Sequence, residues 1–150
     1  MYVNLDNFNS VVSLFNKQVS ELKNKPYLWS KKNEKYTSIS WEETKDQVRA
    51  ISNSLLNLGI LKGDRVAIIS ENRPEWQIAD LAIMSIGAIA VPAYITSTQK
   101  DYEYILNHCE ARCLIISSEL LAKKAIPAAS KTSKCKNIIM IENLNEVNTN

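Results

Sequence analysis

Four short apolar blocks set along the chain constrain its fold more than anything else: Val66-Ala67-Ile68-Ile69, Ile89-Ala90-Val91, Cys113 to Ile116 and Ile138-Ile139-Met140-Ile141. Continuous apolar runs of this length, without polar alternation, are the signature of strands buried on both faces. Between them, apolar residues recur every three or four positions, as on one face of a helix. Strand and helix in alternation build a parallel sheet through right-handed crossovers, so the expected class is α/β.

The punctuation supports the same reading. Ser40-Trp41-Glu42-Glu43 has a capping-box pattern, in which the Ser40 hydroxyl accepts from the amide of Glu43 while the Glu43 carboxylate reaches back. The helix it starts carries Val48, Ile51, Leu55 and Leu58 as its buried stripe, Gly59 supplies a left-handed residue after it, and Gly63-Asp64 makes a turn. Asn72 is expected to cap the next helix, with Pro74 in its first turn, Trp76, Ala79, Ile83 and Ile86 buried, and Gly87 at its end. Pro92 is expected to end the second strand. Helices follow over Thr98 to Cys109 and over Glu119 to Ile126.

Ahead of the sheet, Leu5, Phe8, Val12, Phe15, Val19 and Leu22 predict an amphipathic helix that Pro26 terminates. The aromatic and β-branched segments Tyr27 to Ser30 and Lys35 to Ile39, around Lys31-Lys32-Asn33-Glu34, predict a β-hairpin. Residues 142–150 show no periodicity and are expected to be an unstructured end or a truncation point.

Composition narrows the function. Eighteen basic against sixteen acidic residues, interspersed along 150 positions, give no basic patch for nucleic acid. The longest apolar stretch, Leu81 to Ile95, is interrupted by Gly87 and Pro92 and falls short of the roughly 20 residues that cross a bilayer. No secretory signal is visible, and the cytoplasm is the expected compartment. The three cysteines, Cys109, Cys113 and Cys135, are expected to be reduced. Cys109 and Cys113 beside His108 lack the paired spacing of zinc ligands, and read as small buried residues at a helix end and a strand start.

In a doubly wound sheet, ligands bind beyond the carboxyl ends of the strands, which are here Ser70 to Arg73, Pro92 to Thr98 and Ser117-Ser118. Gly59, Gly63 and Gly87 are isolated from one another, so neither a dinucleotide fingerprint nor a phosphate loop can be assembled. His108 has no serine elbow to serve, and Glu42-Glu43 reads as capping. Arg73 stands where an anion could bind, but Glu75 already supplies negative charge there. Trp76 reads as core. Tyr94, Thr96, Ser97 and Thr98 could line a pocket mouth, although capping alone accounts for Thr98.

Several segments together carry a family resemblance. Tyr36-Thr37-Ser38-Ile39-Ser40-Trp41-Glu42-Glu43 resembles the first core motif of the adenylate-forming (AMP-binding) superfamily, and Ile86-Gly87-Ala88-Ile89-Ala90-Val91-Pro92 resembles its second. Between them, Gly63-Asp64-Arg65-Val66-Ala67-Ile68, Asn72-Arg73-Pro74-Glu75-Trp76 and Ala79-Asp80-Leu81-Ala82 follow in family order, and the Asn-Arg-Pro-Glu-Trp run is similar to the long-chain acyl-CoA synthetase branch. The resemblance implies a partial N-terminal AMP-binding domain over 1–150. It also implies a longer enzyme that uses ATP and magnesium to turn a fatty acid into an acyl-adenylate, then passes the acyl group to coenzyme A, in the cytoplasm or peripheral to a membrane. The family's Ser/Thr/Gly-rich phosphate loop, its adenine and ribose contacts and its lid lysine have no counterpart here. No catalytic, cofactor-binding or metal residue is therefore carried over, and the remainder of a synthetase chain or a homologous subunit is the implied partner. Two other readings stay open: a non-catalytic, degenerate synthetase module for dimerisation or protein binding, and an unrelated flavodoxin-like domain.

Overall fold

The computed structural model of the protein describes residues 9–142; Leu5, Phe8 and the segment 143–150 lie outside them. Helix α1 (Val11–Leu22) and a hairpin of β1 (Pro26–Lys32) and β2 (Lys35–Ser40) come first. They are followed by α2 (Trp41–Asn57), β3 (Arg65–Ile69), α3 (Pro74–Ser85), β4 (Ile89–Ala93), α4 (Gln99–His108), β5 (Cys113–Ile116), α5 (Glu119–Ser130) and β6 (Asn137–Met140). The last four strands form one sheet in the order β4-β3-β5-β6, with every pair parallel. This is the α/β architecture expected, with the helix and hairpin ahead of it.

The pleat sorts the core into two layers. Ala67 and Ile69 of β3 and Leu114 and Ile116 of β5 face one side, where Tyr102 and Leu106 of α4 and Leu121, Ala122 and Ala125 of α5 cover them. Val66, Ile68, Cys113 and Ile115 face the other side and meet Leu55 of α2 with Ala79 and Ile83 of α3. Burying each such Leu or Ile contributes roughly 1.5–3 kcal/mol. A third cluster lies outside α2 and α3, where Phe15, Val19, Val48, Ile78 and Leu81 gather with Tyr27, Leu28, Ile39 and Trp41. Here Tyr27 stacks on Trp41 with ring centroids 3.7 Å apart, which fastens the hairpin to the start of α2.

Capping boxes form at Ser10, Ser40 and Thr98. Glu43 N donates to Ser40 Oγ at 3.2 Å while Ser40 N donates to Glu43 Oε2 at 2.7 Å, and Thr98 and Asp101 repeat the arrangement for α4. Helices α2 and α3 end alike. Ile60 N donates to Leu55 O and Ala88 N to Ile83 O, a closure that needs a left-handed residue just before, supplied by Gly59 at φ 79° and Gly87 at φ 73°.

Five local expectations need correction. The N-cap of α3 is Arg73, which makes no side-chain cap bond, and not Asn72. Pro92 does not end β4, which runs to Ala93; β4 is a sheet edge, where a proline without an N–H is tolerated. For the same reason Ile89 is half exposed instead of buried on both faces. Helix α5 continues past Ile126 to Ser130 with Pro127 inside it. Leu58, expected in the buried stripe of α2, is the exposed C-cap.

Candidate functional site

After β3 the chain crosses to β4 on one side, then returns over β3 to place β5 on the other, so the order reverses between β3 and β5. Beyond the carboxyl ends of those two strands a doubly wound sheet opens its crevice. Glu71 and Ser117 occupy it here. Ser117, fully buried, donates from its amide to Ile69 O at 3.1 Å and from its hydroxyl to the Glu71 carboxylate. That hydroxyl is the main reason the Glu71 carboxyl is held below the usual carboxylate range; Arg73 lowers it further, against the opposing effect of burial. Ser118 caps α5 by position, but its buried hydroxyl makes no hydrogen bond of ordinary geometry among the described residues.

Arg73 stands beside this pair and is already engaged. Its Nε donates to Glu75 Oε2 at 2.9 Å and its Nη1 to Glu142 Oε1 at 2.6 Å, and these two carboxylates raise the guanidinium pKa above its ordinary value. With both ends committed, Arg73 offers an incoming anion little. A cleft of about 500 Å³ opens next to it, between the ends of β3 and β4, lined by Glu71, Trp76, Pro92 and Tyr94 among others. Trp76 packs half-buried against the α2/α3 layer and also lines the cleft, while Tyr94 is 84% exposed. The loop after β4 is pinned from below: Tyr102 Oη donates to Tyr94 O at 2.9 Å, and Lys124 Nζ donates to Ser97 O at 2.9 Å and Ile95 O at 3.3 Å.

Sequence reasoning located the three loops, with Glu71 and Ser117 inside them, but missed the pairing of those two and the roles of Tyr102 and Lys124 in fixing the loop after β4. Nothing local marks them, since their partners lie 46, 8 and up to 29 residues away. His108 ends α4 on the surface, stacked on Tyr104 at 5.4 Å, away from the crevice. Cys113 is buried at the start of β5, and burial pushes its thiol up to about 12.

The crevice does not fit a nucleotide triphosphate. All three glycines of the chain sit at the opposite end of the sheet, the carboxyl-end loops bring two acids, Glu71 and Glu142, and their one arginine is bound to carboxylates.

The AMP-binding enzyme family matches residues 15–150. The chain belongs to that family. Among curated AMP-binding relatives, the long-chain-fatty-acid–CoA ligase FadD15 of Mycobacterium tuberculosis is 32% identical over 106 residues, covering 71% of this chain and 18% of the relative. Fatty acyl-CoA synthetase A of Dictyostelium discoideum is 35% identical over 88 residues, covering 59% of this chain and 13% of its own, and human mitochondrial acyl-coenzyme A synthetase ACSM3 is 34% identical over 116, covering 77% and 19%. The protein thus spans about a fifth of the length of the curated relatives it matches. Among solved structures, the anthranilate CoA ligase AuaEII in complex with anthranoyl-AMP superposes with a TM-score of 0.80 at 22% identity, over 93% of this chain and 27% of that one. The fatty acyl CoA synthetase of Mycobacterium tuberculosis gives 0.75 at 19%, over 86% and 26%. At these identities the structural likeness shows the fold.

Proposed function

We propose that the chain is the opening part of a long-chain fatty acid–CoA ligase and is inactive by itself. The observation that carries this is the family match over residues 15–150 combined with coverage of 18% of FadD15. In this reading residues 1–150 are a partial AMP-binding domain, and the downstream part of the enzyme brings the groups that bind ATP, magnesium, coenzyme A and the acyl chain. Without preorganised charge around the phosphates, an adenylation transition state has nothing here to stabilise it.

A second reading, a non-catalytic module that pairs with an intact synthetase or with itself, draws on one feature: among the described residues the outer edges of β4 and β6 pair with no further strand, and the β6 edge is not guarded by a proline.

One experiment separates the two. The endogenous protein is captured with an antibody against the Glu34 to Glu43 segment, and its intact mass is measured together with fatty-acid-dependent ATP consumption. A mass several times 17.0 kDa with palmitate-dependent turnover supports the ligase reading. A mass near 17.0 kDa overturns it in favour of the module.

A further inference from the structure

Helices α4 and α5 cover the same side of the sheet, and the loops that leave them enter the neighbouring strands β5 and β6. A backbone hydrogen bond lays those two loops side by side: Lys136 N donates to Arg112 O at 3.2 Å, just ahead of the Cys113 and Asn137 pairing that opens the strands. Each loop brings one cysteine. Cys109 is the C-cap of α4, and Cys135 precedes β6. Both side chains are half-buried, and both pack against the single apolar cluster that holds Leu106, Ala111, Leu114 and Ala128. Two thiols from adjacent loops thus share one corner at the amino end of the sheet.

Their surroundings leave the pair to itself. Each Sγ makes one weak hydrogen bond to a backbone carbonyl, Cys109 to Leu106 O at 3.8 Å and Cys135 to Asn137 O at 3.7 Å. Among the described residues no third histidine, cysteine, aspartate or glutamate completes a metal-ligand set with them. Cys113, whose thiol also feels Cys135, turns to the opposite layer of the sheet beneath α2 and α3 and is fully buried. The two thiols are unequal. Burial raises both, but Cys109 is drawn back by the Ala111 amide and by the Arg65 guanidinium, whose Nε donates to Cys109 O, whereas the nearby Cys109 raises Cys135 further. Cys109 therefore supplies thiolate more readily, and Cys135 stands as its resolving partner.

We propose that Cys109 and Cys135 form a redox pair, which hydrogen peroxide closes to a disulfide and a thiol reductant reopens, so that oxidation staples the end of α4 to the start of β6. The Cys109 thiolate attacks the peroxide: an S–O bond forms, the O–O bond breaks, and the departing hydroxide takes up a proton as water. The Cys135 thiolate then attacks the sulfenic sulfur: the S–S bond forms, the S–O bond breaks, and a second water leaves. In balance, two thiols lose two electrons and two protons while one peroxide becomes two waters. Because burial keeps both thiols largely protonated at neutral pH, the pair answers sustained oxidation and not a brief pulse. The staple closes a loop that contains β5 and α5, which restricts the unfolded chain and fastens β6, the outermost strand on its side of the sheet. None of this depends on the ligase reading.

The test is incubation of the folded protein with hydrogen peroxide, followed by unfolding, alkylation of the remaining thiols and mass spectrometry with and without dithiothreitol. The reduced protein takes three alkyl groups, one per cysteine. The oxidised protein is expected to take one, on Cys113, and to yield a peptide pair linked through Cys109 and Cys135 that dithiothreitol separates. Its melting temperature should rise by several degrees and amide exchange in β6 should slow severalfold, both reverting on reduction. Cys109→Ser and Cys135→Ser, at half-buried positions, should each abolish the link and the rise. The linked peptides of the parent decide the pairing whether or not either serine variant folds. Linkage through Cys113, disulfide-joined dimers, oxidation to sulfinic acid with no link, or a link that leaves melting unchanged overturns the proposal.

Discussion

The guanidinium of Arg73 holds the carboxylate of Glu142 at 2.6 Å, although 69 residues separate them. The contact ties the entry of α3 to the chain just beyond β6, across the carboxyl ends of the strands, and both carboxylates around Arg73 remain partly open to solvent.

Replacing Arg73 by alanine is expected to lower unfolding stability by about 1–2 kcal/mol, because the side chain is three-quarters buried and its guanidinium bonds are lost to both Glu75 and Glu142. Glu142→Ala should cost about 0.5 kcal/mol, since Glu142 is half exposed. Urea denaturation of both single variants and the double variant gives the coupling, and a value indistinguishable from zero would show that the ion pair does not fasten the chain exit.

Ser117→Ala tests the crevice through pH. The folded Glu71 carboxyl is held below its unfolded value of 4.5 mainly by the Ser117 hydroxyl, so the stabilisation is present above that value and is lost as pH falls through the lower folded value. The variant should be less stable than the parent by about 1 kcal/mol at neutral pH, discounted for partial exposure of Glu71, and the gap should narrow in acid. A gap that stays constant from neutral to strongly acidic pH would rule out the ionised Glu71 as its source.

Gly87→Ala and Gly59→Ala both force a β-carbon into left-handed backbone, but only the first meets an obstacle. A methyl at Gly87 would lie 3.0 Å from Lys62 Cγ, whereas nothing lies within 4 Å at Gly59. Gly59→Ala should cost about 1 kcal/mol and Gly87→Ala somewhat more, the excess disappearing in a Lys62→Ala background. Thermal melts of the four variants check it.

Glu110 closes α4 in the same way as those glycines, at φ 51° and with Ala111 N donating to Leu106 O, yet it carries a side chain. Glu110→Gly should relieve the left-handed strain and raise stability by about 0.5–1 kcal/mol, less whatever its exposed pair with Arg65 contributes. A loss of stability would show that the Arg65 contact outweighs the backbone term.

Cys113 should resist alkylation in the native state at pH 8 and react only on unfolding, because its thiol is buried and pushed up to about 12. Cys109 and Cys135, half-buried, should react first. Mass spectrometry after timed labelling reads the order, and early modification of Cys113 would mean that β5 opens readily.

Much of this protein was legible in the chain. Apolar blocks placed four strands, Ser40 and Thr98 marked two helix starts and Gly59 and Gly87 two helix ends, because these signals act over one to four residues and belong to the backbone itself. Motif order from Tyr36 to Pro92 identified the family for the same reason: it is a linear property. Local rules failed where the neighbours decide. Pro92 reads as a strand end until β4 is seen to be an edge, which needs no hydrogen bond from it. Leu58 fits the helical period of α2, but the turn at Gly59 carries it out of the core. Glu71 with Ser117, Arg73 with Glu142 and Tyr102 with Tyr94 are pairings made when crossover connections bring distant loops to one end of the sheet. The sequence alone determined the elements and the family; which side chains meet beyond the strand ends only the tertiary structure decided, because charge and hydrogen-bond partners are chosen by proximity in space and not along the chain.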